Sequence, residues 1–256
     1  MTRTMVMIHG MWCGPWCWGN YRRYLEERGY RCIVPALRHH DVDPEAEPDP
    51  ALGITSLLDY AADLEGEIER LGEAPILVGH SMGGLLAQIL GSRGRARALV
   101  LLTSASPAGI NALTPSVIRS FWSTLTRWGF WRRPHRPTLA EAVYSMLHLL
   151  PENEQTATHE RFVHESGRAA AEIGFWPFDA RKAARVDTSR ITCPMLIVAG
   201  REDRITPASV ARKVARRYAT IATYRELAGH AHWVIAEPGW KEVAGLVGDW
   251  LDETLG

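Results

Sequence analysis

The chain lacks the charge bias that would tie it to a charged partner. Its 256 residues hold 29 lysines and arginines against 29 aspartates and glutamates, so the bulk charge points to neither nucleic acid nor an anionic membrane. Lysine is almost missing, occurring only at 182, 213 and 241. No apolar run approaches the length of a membrane-spanning helix. The early apolar stretch from Met5 to Ile8 is too short for a secretory leader. Cysteine is scarce, at 13, 17, 32 and 193; without an export signal these are expected to be reduced thiols in a cytoplasmic protein. Cys13 and Cys17 have no second cysteine pair at ligand spacing, and no phosphate-cradling glycine loop is present, so no metal and no cofactor is expected. The acidic, proline-rich stretch 38–52 lacks the ligand periodicity of a calcium loop and reads as solvated surface.

What is present is an alternation of short apolar runs and amphipathic stretches. Strands are expected at Thr4 to Ile8, Cys32 to Val34, Pro75 to Gly79, Ala98 to Thr103, Cys193 to Gly200 and Tyr224 to Leu227. Between them, apolar residues at 54, 57, 58, 61, 64, 68 and 71 keep helical spacing, with Ser56 and Asp59 placed to cap the start and Gly72 to end it. Strands that are apolar throughout are buried on both faces. The expected fold is therefore α/β: a doubly wound, mainly parallel sheet of about six strands with helices on both faces. The rhythm breaks between 107 and 190, where aromatic-rich stretches are interrupted by Pro134, Pro137 and Pro151, and a helix is expected from about Glu152 to Ala171. The core is thus expected over 1–106 and 191–256, with 107–190 a helical cap. Its rings, with Trp12, are expected to wall an apolar pocket through Trp12, Phe121, Trp122 and Trp176.

The stretch Gly79-His80-Ser81-Met82-Gly83-Gly84 directly follows the apolar run Ile76-Leu77-Val78. It reads as a serine on a sharp strand-to-helix turn, where side chains at 79 and 83 would clash. The free N–H groups of the helix start then face the hydroxyl, so the Met82 amide is a natural oxyanion donor. A serine needs an imidazole to take its proton and a carboxylate to orient that imidazole. Ligands gather at the carboxyl ends of parallel strands. The post-strand loops there supply Asp203, with Glu202 beside it, and then His230 and His232.

These pieces together resemble the α/β-hydrolase superfamily over essentially the whole chain. They are His9-Gly10 with its tryptophan-rich loop, the serine turn, Gly200 to Pro207, and Gly229-His230-Ala231-His232 through Glu237-Pro238. The first loop is similar to that of the small esterase and hydroxynitrile-lyase branch. The resemblance implies Asp203 as the acid and Met11 as the second oxyanion donor, with Trp12 the alternative. The five-residue spacing to Glu237-Pro238 favours His232 as the base, while Gly229 before His230 keeps His230 in play. His9 and His80 are implied to support loop and turn. The implied activity is hydrolysis of a small apolar or aryl carboxylic ester through an acyl-enzyme. A lyase or carbon–carbon bond hydrolase on the same triad is the alternative, and a non-catalytic ligand receptor a third. A lyase of that branch uses a cap lysine, for which only Lys182 is available. The partner implied is a small-molecule ester; oligomeric state is not readable.

Overall fold

A computed structural model describes residues 3–256. The first half alternates strictly: β1 (Thr4–Ile8), α1 (Gly19–Glu27), β2 (Arg31–Ile33), α2 (Leu57–Leu71), β3 (Ile76–His80), α3 (Met82–Ser92) and β4 (Ala98–Leu102). An excursion follows, containing α4 (Pro115–Ser120), α5 (Trp122–Leu125), β5 (Pro134–His135), α6 (Leu139–Ala142), α7 (Glu152–Glu160), β6 (Glu165–Ser166) and α8 (Gly167–Gly174). The alternation then resumes with β7 (Met195–Gly200), α9 (Ala208–Arg217), β8 (Ala222–Leu227) and α10 (Trp240–Leu255).

The main sheet has the order β2-β1-β3-β4-β7-β8, and every pairing is parallel. Every residue of β1, β3, β4 and β7 is buried. Because side chains alternate between faces, such strands must be covered on both. α1 packs against α10, and α2 against α3. The chain winds outward from β1 to β2, then crosses back to place β3 on the other side of β1. That reversal opens a crevice beyond the carboxyl ends of β1 and β3. The register pairs Ile8 with Gly79, so the loop after β1 emerges beside the serine turn. Among the described residues, no helix is long and apolar enough to cross a membrane.

α2 begins at a capping box between Ser56 and Asp59, and Gly72 ends it at φ 69°, as the spacing predicts. The excursion departs from expectation. In place of one helix from about 152 to 171, α7 stops at Glu160 and α8 starts at Gly167, with β6 paired antiparallel to β5 between them. The break lies at 161–166, where Glu165 and Ser166 pair with His135 and Pro134 as strand, and the Ser166 hydroxyl then accepts the Ala169 amide to cap α8. Its first residue, Gly167, passes close against another backbone: a Cβ there would meet the carbonyl oxygen of Phe130 and lie 2.6 Å from that of Arg133.

Two buried carboxylates join the excursion to the sheet layers. Glu172 of α8 accepts the Ser56 hydroxyl (2.8 Å) and the Leu57 amide (2.8 Å), placing negative charge at the start of α2. Glu165 of β6 pairs with His40 Nε2 (3.1 Å) and accepts the Tyr60 hydroxyl (2.7 Å) and the Ser166 amide (2.6 Å). Within 38–52, expected to be solvated throughout, Asp41 and Asp43 are exposed but His40 is buried against this pair. Burial disfavours charge on both partners, yet their mutual attraction and hydrogen bonds win. The Glu165 carboxyl is held below its ordinary range and the His40 imidazole above its own.

These shifts set a pH window. The lowered carboxyl contributes stability above its ordinary value of 4.5, lost as pH falls through its folded value. The raised imidazole contributes below its ordinary 6.5, lost as pH rises through its folded value. Glu165→Gln is therefore expected to cost about 3 kcal/mol. Thermal melts across pH should show the largest gap to wild type between 4.5 and 6.5, shrinking on both sides. A gap independent of pH would contradict an ion pair here.

Candidate active site

Ser81 sits between β3 and α3 at φ 53°, ψ −120°, a region that costs a non-glycine residue about 1–3 kcal/mol. Its neighbours explain how the turn is held. A Cβ at Gly79 would meet the Gly83 carbonyl and come within 2.6 Å of Gly84 Cα. A Cβ at Gly83 would meet the Ile8 carbonyl and lie 2.6 Å from that of His9. A Cβ at Gly84 would lie 2.5 Å from Ser104 Oγ. The Ser81 amide donates to the Leu102 carbonyl (3.1 Å), and the Ser81 carbonyl accepts from Gly84 (3.0 Å) and Ala105 (2.9 Å).

The loop after β1 runs against this turn, with a Cβ at Gly10 only 2.8 Å from that of Ser81. His9 pins the loop. Its Nε2 accepts the Leu37 amide (3.1 Å), which leaves Nδ1–H to donate to the Gly10 carbonyl (2.9 Å). Burial and the nearby His40 lower the His9 pKa to about 3, so it is neutral. Trp12 has φ 63°; its carbonyl accepts the Val163 amide (2.8 Å) and its indole donates to His135 (3.4 Å). Met11, Trp12, Ser81 and Met82 line one cavity of about 80 Å³. As the first residue of α3, Met82 has an amide with no acceptor inside the helix.

Across the crevice, His232 Nδ1 lies 2.8 Å from Asp203 Oδ2, and both side chains are buried. Nδ1–H donating to the carboxylate leaves Nε2 as the basic nitrogen. Asp203 Oδ1 accepts the amides of Ile205 and Thr206 (both 2.8 Å), and Oδ2 accepts the Thr206 hydroxyl (2.6 Å). Burial pushes the Asp203 carboxyl up, but His232 and these donors outweigh it and hold it below its ordinary range. The His232 carbonyl accepts from His80 Nε2 (2.9 Å) and the Thr103 hydroxyl (3.0 Å). The His80 and His232 ring centroids are 4.9 Å apart, so the imidazole lies against the serine's own neighbour. Burial and His232 lower the His80 pKa to about 3, which leaves it a neutral support.

His230 is held elsewhere. Its Nδ1 pairs with Glu237 (3.0 Å), and its amide donates to Glu202 (3.1 Å), which also accepts the Gly229 amide (3.2 Å). Glu202, the carboxylate beside Asp203, thus braces the histidine loop. Of the expected pocket residues, Trp12 and Phe121 line the cavity. Trp122 does not, being 60% exposed at the start of α5, and neither does Trp176, which packs against the core. Both sit beside residues that do line it, Phe121 and Phe175, and their rings turn away. Lys182 is exposed and outside the cavity lining. Thr206 and Thr103 escape sequence reading because a lone threonine carries no motif. The rings of Phe130 and Phe175 also line the cavity and could be suspected only from the aromatic density of the excursion.

Comparison with known proteins bears on this arrangement. The model of the alpha/beta hydrolase family matches residues 5–246. Methylesterase 9 of Arabidopsis thaliana is 35% identical over 86 residues, 33% of this chain and 32% of that protein. Methylesterase 8 of the same plant is 31% identical over 131 residues, 49% of this chain and 46% of that protein. The matched stretch is thus less than half of each relative's length. The crystal structure of a pyrethroid hydrolase from Sphingobium faniae superposes with a TM-score of 0.71 at 18% identity, covering 98% of both chains, which is a likeness of fold.

The two histidines make separable predictions. His232→Ala is expected to lower ester turnover by about 10³-fold or more. His230→Ala is expected to stay within about tenfold of wild type and to lower the melting temperature instead, because it leaves the buried Glu237 with the Ala231 amide as its remaining donor. Steady-state kinetics and melting of the two variants check this, and the reverse ranking would assign the base to His230.

Proposed function

The chain belongs to the alpha/beta hydrolase family, and we propose that within it the protein is a serine hydrolase cleaving small apolar or aryl carboxylic esters through an acyl-enzyme. The observation that carries this reading is the buried His232–Asp203 pair packed against the turn that presents Ser81. The methylesterase relatives support an ester as the bond cleaved. Lys182 is exposed and does not line the cavity, which favours the ester reading over a lyase that would use it.

Ser81 Oγ attacks the ester carbonyl carbon as His232 Nε2 takes the hydroxyl proton. The Asp203 carboxylate holds Nδ1–H and stabilises the imidazolium that forms. Negative charge on the carbonyl oxygen is met by the amides of Met82 and Met11, each contributing about 3 kcal/mol to the transition state. The imidazolium then returns the proton to the departing alkoxide, and an alcohol leaves. Water, deprotonated by the same nitrogen, attacks the acyl-serine and releases the acid. Segment 107–190 serves as the cap, supplying Val117, Phe121, Thr124 and Phe130 to the cavity. At about 80 Å³ that space takes on the order of six water-sized groups, which fits a short acyl or alcohol portion beside the serine.

Wild type and Ser81→Ala are compared on p-nitrophenyl esters from acetate to octanoate. Wild type is expected to show turnover, with the acyl group recovered on the peptide bearing Ser81 in quenched reactions. Ser81→Ala is expected to lose about 10³-fold or more. Full turnover by the variant overturns the nucleophile; no turnover by wild type overturns the ester reading.

A further inference from the structure

The cavity at Ser81 does not stand alone. A larger cleft of about 640 Å³ adjoins it, and Leu125, Phe130 and Phe175 line both. These three side chains form a wall with the small serine cavity on one side and the outer cleft on the other. The outer cleft belongs entirely to segment 107–190. It is floored by Trp131 and Ala171, and Trp128 and Phe178 stand on its rim, 86% and 87% exposed. An indole and a phenyl ring left open to water at one cleft, with a second indole half-buried beside them, are an unusual apolar exposure.

Charge at the cleft narrows the occupant. Its ionic residues are Arg127, Arg168, Glu172 and Asp179, two of each sign. Arg168 donates to Glu172 (2.8 Å) and lies 3.9 Å from Asp179. The cleft therefore carries no net charge and makes no anion site, whereas its rings suit an alkyl chain or an aryl group.

The wall is unequally held. Phe130 is buried, and its carbonyl is pressed beneath Gly167 at the start of α8. Phe175 is half-buried and sits at the break between α8 and the turn Trp176–Phe178, with its ring 6.1 Å from that of Phe130. Phe175 is thus the less enclosed of the two rings that separate the spaces.

We infer that the outer cleft is a subsite for the distal apolar arm, alkyl or aryl, of an extended ester whose carbonyl lies at Ser81, with Phe175 in the wall between. The placement of the carbonyl rests on the ester-hydrolase reading above. The substrate class that follows is an ester with one side too long for the serine cavity, its far end resting between Trp131 and the rim rings.

The test uses the double variant Trp128→Ser/Phe178→Ser, both sites being exposed enough to change without disturbing the core. The ratio of kcat/KM for p-nitrophenyl octanoate to that for the acetate is expected to fall about tenfold relative to wild type. An unchanged or increased ratio overturns the subsite. Binding of octyl 4-nitrophenyl ether, which carries the chain but no scissile carbonyl, is measured by calorimetry on the same proteins. The variant is expected to bind at least fivefold more weakly; equal binding, or none by wild type, overturns the proposal. If wild type cleaves no ester, the function proposed above falls while the ether alone judges the cleft. A wild-type dimer that the double variant dissociates would assign the cleft to a second copy of the chain and overturn it too.

Discussion

Everything at the site depends on how closely α3 approaches β1. The carbonyls of Ile8 and His9 lie where a side chain at Gly83 would have to go, and Gly83 itself fills the space beside Gly79. With no side chain at either point, the helix can start one residue after the strand ends, and Ser81 must bridge them at φ 53°. A strained residue persists only where its surroundings over-determine it. Here the surroundings are two strand backbones and a helix, all buried, with Leu102 and Ala105 of the neighbouring strand and loop bonded to Ser81's own peptide groups. The same closeness brings Met11 and Met82 to one cavity with the serine. A loop could not hold such geometry, because the cost of the turn would be relieved by its unfolding.

Buried carboxylates then do the joining that apolar packing cannot do with direction. Asp203, Glu165, Glu172 and Glu237 are all buried and each is hydrogen-bonded across a gap in sequence or a sharp loop. An isolated buried carboxylate would take up a proton rather than stay charged. Asp203 avoids this through donors from two backbone amides, a hydroxyl and an imidazole. That set fixes the carboxylate as acceptor only, which in turn fixes Nδ1 of His232 as donor. Glu165 orients no candidate catalytic side chain, yet the same chemistry docks β6 against the loop that carries His40.

The sheet was readable because its signals are local. Apolar runs bounded by glycine and proline mark strands whatever they pack on, and the Ser56 and Gly72 caps are written within a few residues. The serine turn was readable for the same reason, since each of its glycines answers a clash a few residues away or on the adjacent strand. The choice between His230 and His232 was harder. Both follow β8 within a few residues, and only the tertiary partners, Glu237 for one and Asp203 for the other, separate them. The excursion was least readable. One helix is expected from about Glu152 to Ala171, but the pairing of Glu165 and Ser166 with β5 takes the chain out of helix before 167, and a second helix starts there. The placement of Trp122 and Trp176 depends on that packing, so of the three rings expected from the excursion only Phe121 lines the cavity.

Besides ties such as His135 to Trp12 and Tyr144 to Arg204, three ties of the excursion to the core layers, Glu165 to His40, Val163 to Trp12 and Glu172 to Ser56, fall between residues 163 and 172. One of them grips Trp12 directly, so this part of the excursion is mechanically continuous with the loop beside Ser81. The half-buried wall residues Leu125 and Phe175 lie outside that stretch, at the ends of α5 and α8. A fold arranged this way separates two demands. On the function proposed above, the groups assigned to the reacting atoms are held by strands and buried hydrogen-bonded pairs, where displacement is costly. Those assigned to the rest of a substrate, Leu125 and Phe175, stand half-buried at helix ends.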